Sequence, residues 1–249
     1  PGGRLQGSEG WFFAQGALGL RPVYVTPVIH AENRRIGTIA AERALGTAQR
    51  YSDVGLLTAR PEVGKEVIQL FHSLTGHAPD QTFAELLVAP RNMRRCFYEL
   101  IRGEIAHHEA TGNGRIMAKM NGLDDPGIIQ ELYRASQAGV KIDLIVRGPT
   151  RLRPGLKGYS ENVRIVSLVG RFLEHDRIYY FHNSGNPKVY IGSADAMVRS
   201  FDRRIESLFS LEEEILKKQA INNLRYNLKD NINSYTMQED GSYVIKEPQ

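Results

Sequence analysis

The segment Arg115-Ile116-Met117-Ala118-Lys119-Met120-Asn121, followed by Asp125-Pro126, then Gly139, then Val140-Lys141-Ile142-Asp143-Leu144-Ile145-Val146-Arg147-Gly148, decides the fold. Both ends of it read as apolar, β-prone strands. Between them Asp124 or Asp125 can cap a helix, Pro126 suits its first turn, and Ile128, Ile129, Leu132, Tyr133 and Ala135 recur on one face. Gly139 stands where a helix turns left-handed and stops. A strand–helix–strand unit predicts two parallel strands, because a crossover helix returns the chain to run the same way. Arg147-Gly148 then falls at the carboxyl end of the second strand, the edge where open α/β sheets bind ligands.

Outward from this unit the pattern continues. Val163–Val169 reads as a third strand. Arg177–His182 and Lys188–Ile191 read as a hairpin joined by Asn183-Ser184-Gly185-Asn186-Pro187. A charged helix is expected over Leu211–Leu228 with Ser210 as its cap, and Glu239-Asp240-Gly241 marks a terminal hairpin between 234–238 and 242–246. On the other side, Asn92–Glu109 has helical spacing, Ala84–Ala89 reads as a strand ended by Pro90, and Pro61-Glu62 opens a helix stopping near Gly76. The apolar face of that helix is Val63, Val67, Ile68, Leu70, Phe71 and Leu74. The first fifty residues are punctuated by glycine. There only 22–26 reads as a strand and 40–49 as a short helix. A domain boundary is expected near Pro90.

Composition bounds the function classes. The 249 residues are 41% apolar and 24% charged, which suits a globular core. The single cysteine, Cys96, excludes an internal disulfide and a cysteine metal site. No apolar run is long enough to span a bilayer. No signal-peptide pattern opens the sequence, which starts at Pro1 and is expected to begin inside a longer protein. A net charge of +4 suits anionic partners without choosing among them. A cytoplasmic location is expected, with peripheral membrane association left open.

Several residues can carry chemistry. His175 and Arg177, two apart at a strand's start, share a face and can hold a phosphate between them. The plainer account from spacing alone is an ion pair among Glu174, Asp176 and Arg177 with His175 packed nearby. Gly192-Ser193-Ala194-Asp195 can turn backbone amides toward an anion, or be only a turn. Arg204 and Glu206 share a face of an edge strand. Arg147, with Arg151 and Arg153 after it, forms a basic loop able to follow a polyanion. His107-His108-Glu109 points in different directions along a helix and reads as polar surface rather than a metal site. No phosphate-binding loop of the Walker kind is present.

Taken together, a series of motifs resembles the long, histidine-phosphorylating bacterial polyphosphate kinases. They are Tyr51-Ser52-Asp53, Leu87-Val88-Ala89-Pro90, Ala118-Lys119-Met120-Asn121, Leu144-Ile145-Val146-Arg147-Gly148, Ser160-Glu161-Asn162, Gly170 through Arg177, Ser193-Ala194-Asp195, Asp202-Arg203-Arg204-Ile205-Glu206 and Asp240-Gly241-Ser242-Tyr243. The resemblance implies an α/β, phospholipase D-like fold: a divergent segment over 1–50, the remainder of a first such domain over 51–90, and a complete second domain over 91–249. It implies reversible transfer of the γ-phosphate of ATP to inorganic polyphosphate through a phosphohistidine, with Mg2+. By the same resemblance Tyr51 contacts the base of ATP, and Arg147 and His175 contact its phosphates. His175 is the candidate catalytic residue, and Glu206 lies in the same pocket. Arg177, Asp195 and Arg204 are further candidates for phosphate or polyphosphate contact. No residue of this chain is implied as a metal ligand.

ATP, ADP and inorganic polyphosphate are thus the expected partners. A homo-oligomer is left open, and no specific nucleic acid is expected. The sequence also departs from the family. The Gly-x-Lys-x-His-x-Lys segment that supplies the phosphohistidine is not recognisable before Tyr51, where His30 is the only histidine. Arg35 stands where the histidine of a second family segment would be. The family's N-terminal and head domains, with their magnesium-associated arginines, have no counterpart here. A phosphotransferase of uncertain activity is one reading, and a binding module for ATP or polyphosphate is another. A phospholipase D-like hydrolase using His175, and charge-driven nucleic-acid binding, complete the alternatives.

Overall fold

The structure is a computed structural model. It describes residues 51–76 and 81–245, and before them the backbone of five short strands. The chain forms two units, Pro1–Leu86 and Leu87–Gln249.

In the first unit Gly10–Phe13 pairs antiparallel with Val54–Leu57, Tyr24–Val25 with Ala40–Ala41, and His30–Ala31 with Arg34–Arg35. Ala40 and Ala41 are therefore strand, where local composition pointed to the start of a helix. Cross-strand pairing overrides a weak local propensity, and 42–49 lie outside the described residues. Helix α1 (Pro61–Leu74) starts on its proline and buries Val63, Gly64 and Val67. Phe71 and Leu74, expected on its apolar face, are exposed. The burial stops after two turns, beside the point where the Glu66 carboxylate accepts the backbone N–H groups of Ala84, Glu85 and Leu86 at 2.7–3.0 Å.

The second unit is built on a mixed sheet. Its strands are β1 (Leu86–Ala89), β2 (Arg115–Met120), β3 (Lys141–Val146), β4 (Val163–Leu168), β5 (Ile178–Phe181), β6 (Lys188–Gly192), β7 (Glu206–Ser210), β8 (Ser234–Met237) and β9 (Tyr243–Ile245). Their order across the sheet is β9-β8-β4-β3-β2-β5-β6-β7-β1. Strands β2, β3 and β4 are parallel, in the register Lys119↔Ile145↔Val166. Strand β5 runs antiparallel to β2, β6 to β5, and β7 to β6. The carboxyl ends of β2, β3 and β6 and the amino ends of β5 and β7 therefore meet on one edge of the sheet.

Alternation of side chains explains the layers. Ile116, Ala118 and Met120 of β2 join Leu144, Ile165, Tyr179 and Phe181 in the main core, under α2 (Met93–Thr111) and α3 (Pro126–Gln137). Phe97 of α2 is its centre, edge-on to Tyr179 at 4.9 Å and 5.5 Å from Phe201 of the short α4 (Val198–Asp202). Truncating so large a buried ring costs roughly 3–5 kcal/mol. The alternate residues, Met117 and Lys119 among them, point to the opposite face. There α5 (Glu214–Lys229) buries Leu216, Ala220, Leu224 and Leu228.

The caps are local chemistry. Asp125 accepts the N–H groups of Gly127 and Ile128, both at 3.0 Å, and Pro126 is the first residue of α3. Helix α2 ends at Gly112, whose φ is +72°. Ser210, expected to cap the charged helix, is instead the last residue of β7. The helix begins three residues later than expected, behind Glu213, and the Ser210 hydroxyl donates to Glu212. His108 is not plain surface: its Nδ1 accepts the N–H of Gly114 at 3.2 Å, closing the α2–β2 turn.

Candidate functional site

The edge where these strand ends meet is organised by Asn121, the first residue after β2. Its backbone N–H donates to Asp195 Oδ1 at 2.7 Å. Its side-chain Nδ2 donates to the backbone carbonyl of His175 at 3.2 Å and lies 3.3 Å from Asp195 Oδ1. Its Oδ1 accepts two bonds from Arg147, from Nε at 2.9 Å and Nη2 at 2.7 Å. One amide thus joins the ends of β2, β3 and β6 to the segment that enters β5.

Arg147 comes to Asn121 because β3 pairs parallel with β2, so the residues just beyond Met120 and Val146 lie side by side. The next residue, Gly148, donates its N–H to the Asn121 carbonyl at 2.8 Å. A Cβ there would stand 2.5 Å from that same oxygen, so only glycine permits the approach. The Arg147 guanidinium is half-buried and has no carboxylate partner among the described residues. Its Nη1 donates no hydrogen bond among them.

Across the edge, Arg177 forms a two-pronged pair with Asp195, Nε to Oδ1 and Nη2 to Oδ2, each 3.1 Å. Such a fork fixes both planes. Arg177 Nη1 donates to the His175 carbonyl at 2.8 Å and lies 3.2 Å from each nitrogen of the His175 ring. His175 and Arg177 are therefore neighbours, as their spacing implied. The ion pair expected among Glu174, Asp176 and Arg177 does not form. Glu174 and Asp176 both turn to the opposite face and grip Lys119, whose Nζ is 2.6 Å from Glu174 and 2.7 Å from Asp176. Lys119 is 1% exposed. Burial pushes the Asp176 carboxyl above its usual range, and the adjacent Lys119 opposes that shift. Among the described residues Asp176 Oδ2 has no hydrogen-bond partner.

Glu206 opens β7 on the same edge, two strands beyond His175. Arg204 lies 3.8 Å from it and is largely exposed. Tyr179, fully buried, donates to the Ala194 carbonyl at 2.8 Å, and its hydroxyl is held well above its usual pKa by burial, reinforced by the nearby Asp195. Tyr51 belongs to the first unit, half-buried in the strand Tyr51–Ser52. The second unit thus brings Arg147, His175, Arg177 and Asp195 together around Asn121, with Glu206 and Arg204 farther along its edge. Asn121 and Lys119 were only parts of a motif in the sequence; their roles depend on partners far along the chain.

Among the described residues no group of three or more His, Cys, Asp or Glu side chains stands together as a metal cage. Beside Asn121 the Asp195 carboxylate is committed to Arg177, Asp176 and Glu174 hold Lys119 on the opposite face, and Glu206 lies 3.8 Å from Arg204. Among the described residues the edge around Asn121 presents arginine side chains and no carboxylate set for Mg2+.

Comparison with known proteins assigns the chain. The family described as polyphosphate kinase C-terminal domain 2 matches residues 86–249. The chain belongs to this family. It is 48% identical to a polyphosphate kinase of Prochlorococcus marinus and 49% identical to one of Synechocystis, in each case over 202 residues, 81% of this chain and 28% of the relative. The chain therefore spans a little over a quarter of the length of these curated relatives. The crystal structure of the polyphosphate kinase from Porphyromonas gingivalis matches with a TM-score of 0.78 at 40% identity, covering 82% of this chain and 31% of that one. The fold is the mixed α/β fold of that enzyme's corresponding part. Among the described residues no helix is long and apolar enough to cross a membrane.

Proposed function

We propose that this chain contributes ATP- and polyphosphate-binding residues to a polyphosphate kinase reaction, the reversible transfer of the γ-phosphate of ATP to the end of inorganic polyphosphate. The observation that carries it is the Arg147 guanidinium. It stands at the carboxyl edge of a parallel sheet, is oriented by Asn121 Oδ1, and has no carboxylate among the described residues to neutralise it.

In this reading Arg147 and His175 hold phosphate oxygens. Arg177 and Asp195 lock the His175 segment in place and border the phosphates. The exposed Arg204 extends the cationic edge along a longer polyanion, Glu206 lines the same pocket, and Tyr51 takes the base of ATP. Phosphoryl transfer depends mostly on positioning and charge stabilisation, which this edge supplies. The overall step breaks the bond between the β,γ-bridging oxygen and the γ-phosphorus, releasing ADP. It forms a bond from that phosphorus to a terminal polyphosphate oxygen, by way of a phosphohistidine in the family. Mg2+ would enter with the nucleotide phosphates.

A second reading is binding without transfer. It is favoured by one observation: no Gly-x-Lys-x-His-x-Lys segment precedes Tyr51 in this sequence. Incubation with γ-labelled ATP and Mg2+, followed by an assay for acid-labile, base-stable phosphoprotein, separates the two. Label supports transfer, and its loss in His30→Ala or His175→Ala with ATP binding retained names the carrier. No label, from a folded chain that binds ATP, supports binding alone. Failure of the folded chain to bind either ATP or polyphosphate would sink both.

A further inference from the structure

Asn121 carries no charge and is a poor candidate for direct catalysis, yet hydrogen bonds with Arg147, Gly148, His175 and Asp195 all converge on it. Its geometry is specific. The single oxygen Oδ1 receives both Nε and Nη2 of Arg147, which fixes the guanidinium plane and, among the described residues, leaves Nη1 unengaged. The amide nitrogen of the same side chain holds the His175 carbonyl. Arg147 and His175 are thus linked through one rigid group only two bonds from its backbone. The backbone of Asn121 is itself pinned twice, by Asp195 through its N–H and by Gly148 through its carbonyl.

A neutral amide also does what a carboxylate could not. It orients the arginine without cancelling its charge, so the field of the guanidinium remains available to an anion. An Asp at this position would pair with Arg147 and would stand against Asp195 Oδ1, now 3.3 Å from Nδ2.

We infer that Asn121 is a positioning residue for phosphate recognition: it sets the orientation of Arg147 and its spacing from His175 while leaving the guanidinium uncompensated. The inference rests on the proposed reading of Arg147 as a phosphate ligand. The backbone bonds of residue 121 survive any substitution, so side-chain variants probe the amide and leave the loop tied.

The test is a double-mutant cycle in the full chain, read by calorimetric titration with ATP and, separately, with inorganic triphosphate. Melting temperatures are recorded for every variant. Asn121→Ala is expected to weaken both ligands about tenfold. In an Arg147→Ala background the same change is expected to cost less than twofold, because residues acting through one another are not additive. Asn121→Asp is expected to weaken both ligands further than Asn121→Ala does. An equal loss in both backgrounds, or no loss in the wild-type background, would overturn the positioning role. If Arg147→Ala alone leaves both affinities unchanged, the phosphate reading falls first and the inference falls with it. Should Asn121→Ala fail to fold, Asn121→Ser carries the same cycle, with a hydroxyl in place of the amide.

Discussion

Lys119 and Asp176 form a buried ion pair: Nζ lies 2.7 Å from Oδ1, and the two side chains are 2% and 3% exposed. Glu174 closes on the same ammonium from one residue before His175, as Asp176 does from one residue after it. The carboxylates flanking His175 are both turned away from the edge that Arg177 and Asp195 occupy. Replacing one partner of such a pair leaves a buried charge uncompensated, at a cost of roughly 3–5 kcal/mol. Lys119→Met is expected to destabilise the protein by that amount at neutral pH, measured by denaturant unfolding. The pH dependence has a definite sign. Burial already raises the Asp176 pKa, and Lys119 is the charge that holds it down. In the variant the folded state takes up a proton more readily than the unfolded state, so its unfolding free energy should rise as pH falls through the raised pKa. A deficit that does not shrink on acidification would argue against this account.

Glu131 shows the opposite sign. The Arg102 guanidinium is bonded to it through Nε at 3.1 Å and Nη2 at 2.7 Å, and Arg134 adds a bond at 2.8 Å. These cations hold its carboxyl below the usual range. A depressed pKa gives stability that is present above the ordinary carboxyl range and is lost as pH falls through the depressed value. Glu131→Gln should therefore flatten the acid limb of a stability–pH curve. At neutral pH it should cost roughly 1–3 kcal/mol, the usual range when a buried partner of charged donors is lost. Urea unfolding across an acid series measures both.

Arg147→Ala should weaken ATP and polyphosphate binding by roughly 10- to 100-fold, the range for hydrogen bonds to charged groups, with little change in melting temperature. Arg147→Lys should recover only part of the loss. A lysine can keep the charge, but it cannot present two N–H groups in one plane to Asn121 Oδ1. Titration of both variants with ATP checks this, and full recovery by lysine would show that charge alone suffices.

Gly148→Ala tests the closeness of the two strand ends. The new Cβ would press on the Asn121 carbonyl at 2.5 Å, a backbone atom that cannot swing aside. The expected cost is about 1–3 kcal/mol of stability, accompanied by weaker ATP binding as Arg147 is displaced from Asn121. Stability lost with affinity unchanged would show that the edge tolerates the shift.

The frame of the second unit was legible in the sequence because its signals are local. The Asp125 cap, Pro126 at the helix start and the two apolar runs gave the parallel pair almost to the residue. The hairpin after Arg177 was equally clear. The extent of β7 and the late start of α5 were not: the edge strand expected around Arg204 and Glu206 is instead Glu206–Ser210, between β6 and β1, and Ser210 looks like a cap when only its neighbours are considered. Arg147, His175 and Arg177 could be proposed from strand ends and spacing. Asn121 and Lys119 could not be given roles: their partners lie 26, 54, 55 and 74 residues away, and only the sheet order reveals them. Neither residue type signals binding by itself.

Those separations have a consequence for how the unit behaves. A site made from the ends of β2, β3, β5 and β6 contains almost no local contacts, so no fragment of the sheet can rehearse it. It comes into being only when the long-range pairings are complete, the slowest kind of contact for a chain to reach. Any anion that binds there recognises the assembled sheet and not the loose chain. By mass action it should raise the melting temperature of the unit as a whole.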